Sequence, residues 1–215
     1  MLLEKFENLL FDFDGTIMDT SEGIFHSFDY VEQKLGLTDK GKDFYPKLVG
    51  PPLAESFSRF FGLAEDEIQN AIKVYREYYK KGGMFEGKIY DGFESLLKSL
   101  KSANKKLFVA TSKPEIYARQ ILSRLKMDSY FDFIGGSDTA EKDRIRKVDV
   151  IRYVMKENSL FPQNTVMIGD RFYDIEGAQQ AGIASIGVLW GFGSEQELKD
   201  AGANVLVSTP QELLV

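Results

Sequence analysis

The sequence Leu9-Leu10-Phe11-Asp12-Phe13-Asp14-Gly15-Thr16 ends an apolar run with two acids two residues apart. Side chains at positions i and i+2 of a strand point to the same side, so Asp12 and Asp14 would face one pocket. A strand followed by an Asp-Gly turn is the structural alternative, because both residues are common in turns. Two buried acids are costly unless a cation offsets their charge. The pattern therefore favours a ligand site at the carboxyl end of a parallel strand, where open α/β sheets bind ligands.

Composition limits the classes of function. The chain has 215 residues, of which 43% are hydrophobic and 28% charged, as in one or two ordinary globular domains. Its net charge of −6 favours small polar substrates over nucleic acid or an anionic membrane. The absence of cysteine excludes disulfides, thiolate nucleophiles and cysteine-ligated metals. The single histidine, His26, falls in a helical pattern, which favours a structural role. With no signal peptide or membrane-spanning stretch in the sequence, we expect a cytoplasmic protein.

Short apolar runs alternate with amphipathic stretches from Glu86 onward. This alternation is typical of βαβ units and predicts a mostly parallel sheet with right-handed crossovers. The predicted strands are residues 106–110, 131–135, 165–169, 184–188 and 204–207. The predicted helices are residues 92–103, 114–126, 148–158, 174–181 and 195–201. Ser194 and Glu197 have the spacing of a capping box at the start of the last helix.

Residues 20–81 break this alternation, because their apolar residues repeat at helical spacing with no convincing strand. The pattern predicts a small helical domain inserted after the first strand, over residues 19–82. Residues 1–18 and 83–215 would then form the core domain. The paired glycines Gly82 and Gly83 mark the predicted exit from the insert, since glycines are suited to a hinge.

Further polar residues follow the predicted strands. Thr111 and Ser112 come after an apolar run, where their hydroxyls and a helix start could hold an anion, or where Thr111 could simply cap the helix. Lys147 stands at the entry of a helix, from which its ammonium can reach back over the strand ends. Asp170 ends a third apolar strand and pairs naturally with Asp12 as a ligand of Mg²⁺. Asp174 opens the next helix, where it could match the helix dipole, support the metal ligands, or do both.

Taken together, these motifs resemble those of the haloacid dehalogenase-like hydrolase superfamily, specifically its phosphatases with a helical cap. Residues 12–16 are similar to the first motif, Thr111 to the second, Lys147 to the third and residues 169–174 to the fourth. Lys142 precedes Lys147 by five positions, but residues 147–151 are more similar to the lysine that opens this helix in the family. The resemblance covers essentially the whole chain. It implies an α/β fold, with a Rossmann-like, mostly parallel sheet core and an inserted α-helical cap domain.

The resemblance also implies a mechanism. Asp12 would attack phosphorus to form an aspartyl-phosphate, and Asp14 would act as acid and then base. The transferred phosphoryl group would be bound by Thr111, Ser112 and Lys147. Mg²⁺ would be held by Asp12, Asp170 and the Asp14 backbone carbonyl, with Asp174 supporting these ligands.

The acid at position 14 favours a phosphatase over a dehalogenase, because a halide leaves without a proton. Residues 49–53 and 190–193 resemble loops of phosphoglycolate phosphatase-like members. The implied function is hydrolysis of a small phosphorylated metabolite, such as phosphoglycolate, by a monomer or homodimer. The alternatives are a 5'-nucleotidase or another phosphomonoesterase of the superfamily, then a phosphomutase or a non-catalytic binding protein.

Overall fold

The structure is a computed structural model that describes residues 2–41, 43–139 and 143–215. Lys142, the alternative to Lys147 in the third motif, lies outside the described residues. The chain divides into two compact units. The first combines the chain up to Met18 with Ile89–Val215, and the second is Asp19–Lys88.

The secondary structure alternates in the first unit and is helical in the second. The strands are β1 (Asn8–Phe11), β2 (Met18–Asp19), β3 (Lys88–Ile89), β4 (Lys106–Pro114), β5 (Phe133–Ser137), β6 (Thr165–Gly169), β7 (Ala184–Val188) and β8 (Val205–Val207). The α-helices are α1 (Ser21–Leu35), α2 (Leu53–Phe61), α3 (Glu65–Lys81), α4 (Phe93–Ser102), α5 (Glu115–Arg124), α6 (Lys147–Glu157), α7 (Phe172–Ala181) and α8 (Glu195–Asp200). Short 3-10 helices occur at Tyr45–Leu48, Gly83–Phe85, Asp128–Tyr130, Pro162–Asn164 and Pro210–Leu214. Each described helix is too short or too polar to cross a membrane.

Six strands of the first unit form one parallel sheet in the order β5-β4-β1-β6-β7-β8, which confirms the predicted fold class. The central strands are apolar because both faces of the sheet are covered. Leu10, Phe108 and Met167 from three adjacent strands pack against Val150 and Val154 of α6. In this order β1 lies between β4 and β6, so the strand order reverses beside it. Such a switch point at the carboxyl ends of parallel strands is where α/β proteins bind ligands.

The end of β4 differs from the prediction, because the strand continues beyond residue 110. β4 continues through Thr111 to Pro114, and α5 begins at Glu115. Thr111 pairs with Gly136 of β5, and the register then shifts before Pro114. This long-range pairing extends the strand, so Thr111 does not cap the helix.

Two other details are corrected. β5 begins at Phe133 rather than at residue 131, because the side chain of Asp132 accepts a hydrogen bond from the Leu107 N–H at 2.8 Å. Ser194 does cap α8 by accepting from the Glu197 N–H at 3.1 Å. A complete capping box would also need the Glu197 carboxylate to accept from the Ser194 backbone N–H. That carboxylate accepts instead from Arg171 Nε at 2.8 Å.

The second unit contains the three predicted helices, α1, α2 and α3, around an aromatic core centred on Phe28. It extends to Lys88, six residues beyond the predicted exit at residue 82. The reason is that the segment after α3 packs on α1. The Gly23 N–H donates to the Glu86 carbonyl at 3.0 Å, and a Cβ on Gly23 would lie 1.8 Å from the Gly83 oxygen. His26 is half exposed, with its Nδ1 2.8 Å from Glu86 Oε2.

Candidate active site

A buried lysine, Lys147, joins two of the predicted acids, Asp12 after β1 and Asp174 in the first turn of α7. Lys147 is the first residue of α6, and its Nζ donates to Asp12 Oδ1 at 2.6 Å and to the Ala110 carbonyl at 3.0 Å. The same ammonium lies 2.7 Å from Asp174 Oδ1. Asp12, Lys147 and Asp174 are each at most 6% exposed. The structure thus brings together three residues that are widely separated in sequence.

Asp170 completes the acidic cluster from the end of β6. Its Oδ1 accepts from the Thr16 hydroxyl at 3.1 Å and its Oδ2 from the Phe192 N–H at 2.8 Å, so both oxygens have fixed directions. Asp12, Asp170 and Asp174 each offer a carboxylate oxygen within 4.8 Å of the others. The predicted pair, Asp12 and Asp170, is therefore close in space.

Asp174 lies in the first turn of α7 and contacts Lys147, while its support of metal ligands stays a prediction. It is the third residue of α7, and its Oδ2 accepts from the Arg171 N–H at 3.0 Å, as a residue in the first helical turn does. Its other oxygen contacts Lys147. One side chain therefore both fixes the helix start and orients the ammonium that binds Asp12.

A second buried lysine, Lys113, was missed by the sequence reasoning. Its Nζ lies 2.9 Å from Asp14 Oδ1, and the two side chains are 5% and 13% exposed. Lys113 is the third residue after Ala110, so it follows the same strand end that supplies Thr111. The sequence does contain a signal for this lysine, because Lys113 stands two residues after Thr111. In a strand that continues past Thr111, the two side chains lie on the same side.

Thr111 and Ser112, predicted to bind the phosphoryl group, lie on β4 with different burial. Thr111 is 1% exposed, and its hydroxyl oxygen accepts from the Lys113 N–H at 3.1 Å. This contact directs one lone pair of the hydroxyl toward the backbone and keeps its proton for another acceptor. Ser112 is partly exposed on the same strand.

Three glycines let the chain pass close to Asp170. A Cβ on Gly15 would lie 2.1 Å from Asp170 Oδ2, one on Gly191 would lie 2.4 Å from Asp170 Cβ, and one on Gly193 would lie 1.9 Å from its carbonyl oxygen. Gly191 and Gly193 belong to the loop at residues 190–193. Trp190 anchors this loop, because its indole N–H donates to the Thr16 carbonyl at 3.0 Å. The loop at residues 190–193 therefore holds Asp170 in place.

Replacing Gly15 by Ala should destabilise the fold more than the same change at Gly182. Both glycines have positive φ, +82° and +74°, where a side chain costs about 1–2 kcal/mol. Among the described residues, a Cβ on Gly182 meets nothing within 4 Å, whereas one on Gly15 collides with Asp170. We expect the unfolding free energy of Gly15→Ala, measured in urea, to fall by about 1–3 kcal/mol more. Equal losses for the two variants would contradict the close packing at Asp170.

Burial and charge perturb the titration of this cluster. Burial raises the pKa of Asp170 well above its ordinary value, and the Asp174 and Asp12 carboxylates raise it further. Burial raises the pKa of Asp174 to about 6, although the Lys147 ammonium opposes the shift. Burial alone would lower the pKa of Lys147, but attraction by Asp12 and Asp174 raises it above 10.5. Burial, together with repulsion between the acids, therefore outweighs the attraction of the Lys147 ammonium for the Asp174 carboxylate.

The charges of the site fit a divalent cation. Asp12, Asp170 and Asp174 share Lys147, while Asp14 contacts Lys113. Four carboxylates therefore face two ammonium groups, which leaves two excess negative charges when all six groups are ionised. Hard cations such as Mg²⁺ prefer oxygen ligands of this kind. Asp12 and Asp170 would hold such an ion, with Asp174 beside them.

Comparisons with known proteins agree with this geometry. The haloacid dehalogenase-like hydrolase family model matches residues 9–188. A 5'-nucleotidase of Pseudomonas aeruginosa is 37% identical over 195 residues, which cover 91% of this chain and 88% of the relative. A phosphoglycolate phosphatase of Colwellia psychrerythraea is 28% identical, with 100% of this chain and 98% of the relative covered. A solved structure of a predicted phosphatase from Clostridium acetobutylicum has a TM-score of 0.93 at 45% identity, covering 97% of this chain and 96% of that one.

The chain belongs to the haloacid dehalogenase-like hydrolase family, and the family assignment from the four motifs is confirmed. The family model spans all four motifs, from Asp12 to Asp174. The chain is therefore an enzyme of a hydrolase family.

Proposed function

We propose that this enzyme is a Mg²⁺-dependent phosphatase that hydrolyses a small phosphomonoester through an aspartyl-phosphate on Asp12. The contact between Lys147 Nζ and Asp12 Oδ1, 2.6 Å long inside a cluster of buried acids, carries the proposal. A carboxylate at a strand end, held by a buried ammonium, is suited to attack phosphorus and form a covalent intermediate. The likeness to a 5'-nucleotidase and to a phosphoglycolate phosphatase supports the reaction class.

Lys147 has two tasks in this proposal. Its bond to the Ala110 carbonyl and its contact with Asp174 fix the ammonium, so the Asp12 carboxylate is held in one orientation. The same positive charge would neutralise the negative oxygens of a transferred phosphoryl group. Positioning and charge neutralisation are the main demands of phosphoryl transfer. The Thr111 hydroxyl, at the end of the adjacent strand, would donate a hydrogen bond to the same group.

Asp14 is proposed as the acid that protonates the leaving oxygen and as the base that activates water. It follows Asp12 by two residues at the end of β1, and its side chain is 13% exposed. Limited exposure lets the group reach a substrate while bulk water is largely kept away. Proton transfer of this kind contributes about 10²–10⁴-fold to rates.

Mg²⁺ would be held by Asp12 and Asp170, with the Asp14 backbone carbonyl as a further ligand. When bound, the ion neutralises phosphate charge. Two excess negative charges among the six side chains support its presence. The hydrogen bonds from Thr16 and Phe192 to Asp170 would keep that carboxylate pointed at the ion.

The substrate class is tested by a panel of phosphate esters in Mg²⁺. The panel contains nucleoside 5'-monophosphates, phosphoglycolate, phosphosugars and pyrophosphate, with phosphate release as the readout. The 5'-nucleotidase of Pseudomonas aeruginosa is more similar to this chain than the phosphoglycolate phosphatase of Colwellia psychrerythraea, so nucleotides come first in the panel. We expect one class of phosphomonoester to be hydrolysed well above the others. Absence of phosphate release from every compound would contradict the proposal.

Mg²⁺ should raise the melting temperature, and the increase should grow as pH rises from 5 to 7. Without a divalent ion, the pKa of Asp174 is about 6 in the folded chain, above its ordinary 3.8. The folded state then binds more protons than the unfolded state, so stability falls as pH rises from about 4 to 6, by about 3 kcal/mol. A bound cation removes this loss by replacing the proton. The measurement is thermal unfolding with Mg²⁺ or with EDTA across this range.

Asp170→Asn tests whether the ion acts at this cluster, and Asp132→Asn is the matched control. Asp132 is at the other end of the sheet, where it pairs with Lys101 at 3.0 Å. We expect the Mg²⁺-induced increase to disappear in Asp170→Asn and to persist in Asp132→Asn. If wild-type unfolding is the same with Mg²⁺ and with EDTA at pH 7, the metal assignment fails.

A further inference from the structure

The Lys113–Asp14 contact is buried more deeply than stability alone would favour. Lys113 Nζ lies 2.9 Å from Asp14 Oδ1, and the lysine side chain is only 5% exposed. Removing an ammonium from water is expensive, and a buried ion pair is often no more stable than apolar residues of similar volume. The presence of a lysine at this position therefore points to a role beyond folding.

Lys113 is itself held from several directions. Its backbone N–H donates to Thr111 Oγ1 at 3.1 Å, and its strand changes register between Thr111 and Pro114. Its Nζ also lies 5.7 Å from the centroid of the Phe13 ring, within range of a cation–π interaction. The ammonium is therefore a fixed point at the end of β4.

Asp14, by contrast, lies in the turn that follows β1. Residues 14–18 form a tight loop, with the Gly15 N–H donating to the Met18 carbonyl at 2.9 Å. A side chain in such a turn has more freedom than one in the middle of a sheet. A general acid, however, must stay within hydrogen-bond reach of the atom that it protonates.

We propose that Lys113 is a positioning residue that holds the Asp14 carboxylate in place for proton transfer. The inference rests on the function proposed above, in which Asp14 is the acid and base. It adds a fixed ammonium from β4 that acts through Asp14 and not through the phosphoryl group. Lys147 contacts Asp12 from α6, so each of the two acids that follow β1 has its own lysine.

Substrates with different leaving groups distinguish a lysine that positions Asp14 from a lysine that neutralises the charge of the phosphoryl group. An alkyl phosphate leaves as an alkoxide and needs a proton, whereas p-nitrophenyl phosphate has a stable leaving anion. A lysine that positions Asp14 should therefore matter for the alkyl ester in the first step. A lysine that neutralises phosphoryl charge should matter equally for both esters.

The test measures kcat/KM of Lys113→Met with the best alkyl phosphate of the panel and with p-nitrophenyl phosphate. We expect a loss of about 10²-fold for the alkyl ester and of less than about tenfold for the aryl ester. A rapid burst of nitrophenol should appear in this variant, because phosphorylation of Asp12 is retained while hydrolysis of the intermediate becomes slow. Lys113→Arg should recover most of the alkyl ester activity, since a guanidinium also binds a carboxylate.

The matched control is Lys98→Met, which removes an exposed lysine paired with Glu94 at 2.8 Å. This variant should match the wild type with both esters. Thermal unfolding of each variant verifies the fold. If Lys113→Met does not fold, Lys113→Gln enters the same comparison, because its amide can still donate a hydrogen bond.

A double-mutant cycle gives the sharpest result. If Lys113 acts through Asp14, Asp14→Asn/Lys113→Met should be no slower than Asp14→Asn alone. Independent, additive losses would overturn the inference, as would equal losses on the two esters or no loss in a folded Lys113 variant. A wild-type enzyme that hydrolyses neither ester would instead overturn the proposed function, and the inference with it.

Discussion

Asp12→Asn is expected to lower the turnover of phosphomonoesters by about 10⁴-fold or more. The amide cannot attack phosphorus to form an acyl phosphate, and it is a much weaker partner for Lys147. The fold should survive, because Asn has nearly the same shape and Lys147 keeps its contact with Asp174. The measurement is steady-state turnover of purified protein, together with its melting temperature.

Asp200→Asn is the matched control, since Asp200 is exposed at the end of α8 and accepts only a surface hydrogen bond from Gln196 in the described contacts. Its turnover should equal that of the wild type. Mass spectrometry of the Asp12→Asn protein verifies that the amide has not reverted to acid. Substantial turnover in that verified protein would eliminate Asp12 as the nucleophile.

Lys147→Met should damage both stability and activity. Removing one partner of a buried ion pair costs about 3–5 kcal/mol, because the remaining charges are left uncompensated. Here Asp12 and Asp174 would lose their shared ammonium while both stay buried. We expect the unfolding free energy at pH 7, measured in EDTA, to fall by about this amount. Turnover should fall by at least about 10²-fold, because the transferred group loses a fixed positive charge.

The pH dependence distinguishes this explanation from lost packing. The pKa of Lys147 is raised above 10.5, so the wild-type ammonium is charged throughout the acidic range. The pKa of Asp174, already about 6, should rise further without that ammonium. As pH falls, the variant can therefore protonate its buried acid, and its stability should approach that of the wild type.

Lys105→Met is the control for this second prediction. Lys105 donates to the Leu3 and Phe6 carbonyls at 2.7 Å each, so its loss removes hydrogen bonds but no carboxylate partner among the described residues. Its stability deficit should be independent of pH between about 4 and 7. A pH-independent deficit in Lys147→Met as well would show that charge is not the cause.

Local patterns predicted most of the fold. β1, β6 and β7 follow from short apolar runs, and the inserted helices follow from apolar stripes at helical spacing. The end of β4 did not follow, because Thr111 and Ser112 suit a helix start as well as a strand. What extends β4 is its pairing with the glycines of β5, a contact between segments that are distant in sequence.

Site residues that directly follow an apolar strand could be predicted from the sequence. Residues whose role depends on a tertiary contact were harder to predict. Asp12 and Asp170 were identified from such strand ends, and they are close in space. Lys113 was missed because its significance depends on β4 continuing past Thr111 and on Asp14 lying opposite. The sequence around Gly191 resembled a family loop, but its hydrogen bond from Phe192 to Asp170 needed the tertiary structure.

The covalent role of Asp12 is tested most directly by trapping the intermediate. The enzyme is quenched during turnover, treated with borohydride, which reduces an aspartyl-phosphate to homoserine, and analysed by peptide mass spectrometry. We predict homoserine at Asp12, an unmodified Asp14 in the same peptide, and no conversion in Asp12→Asn. Homoserine at another residue, or none in protein quenched during rapid turnover, would contradict the account.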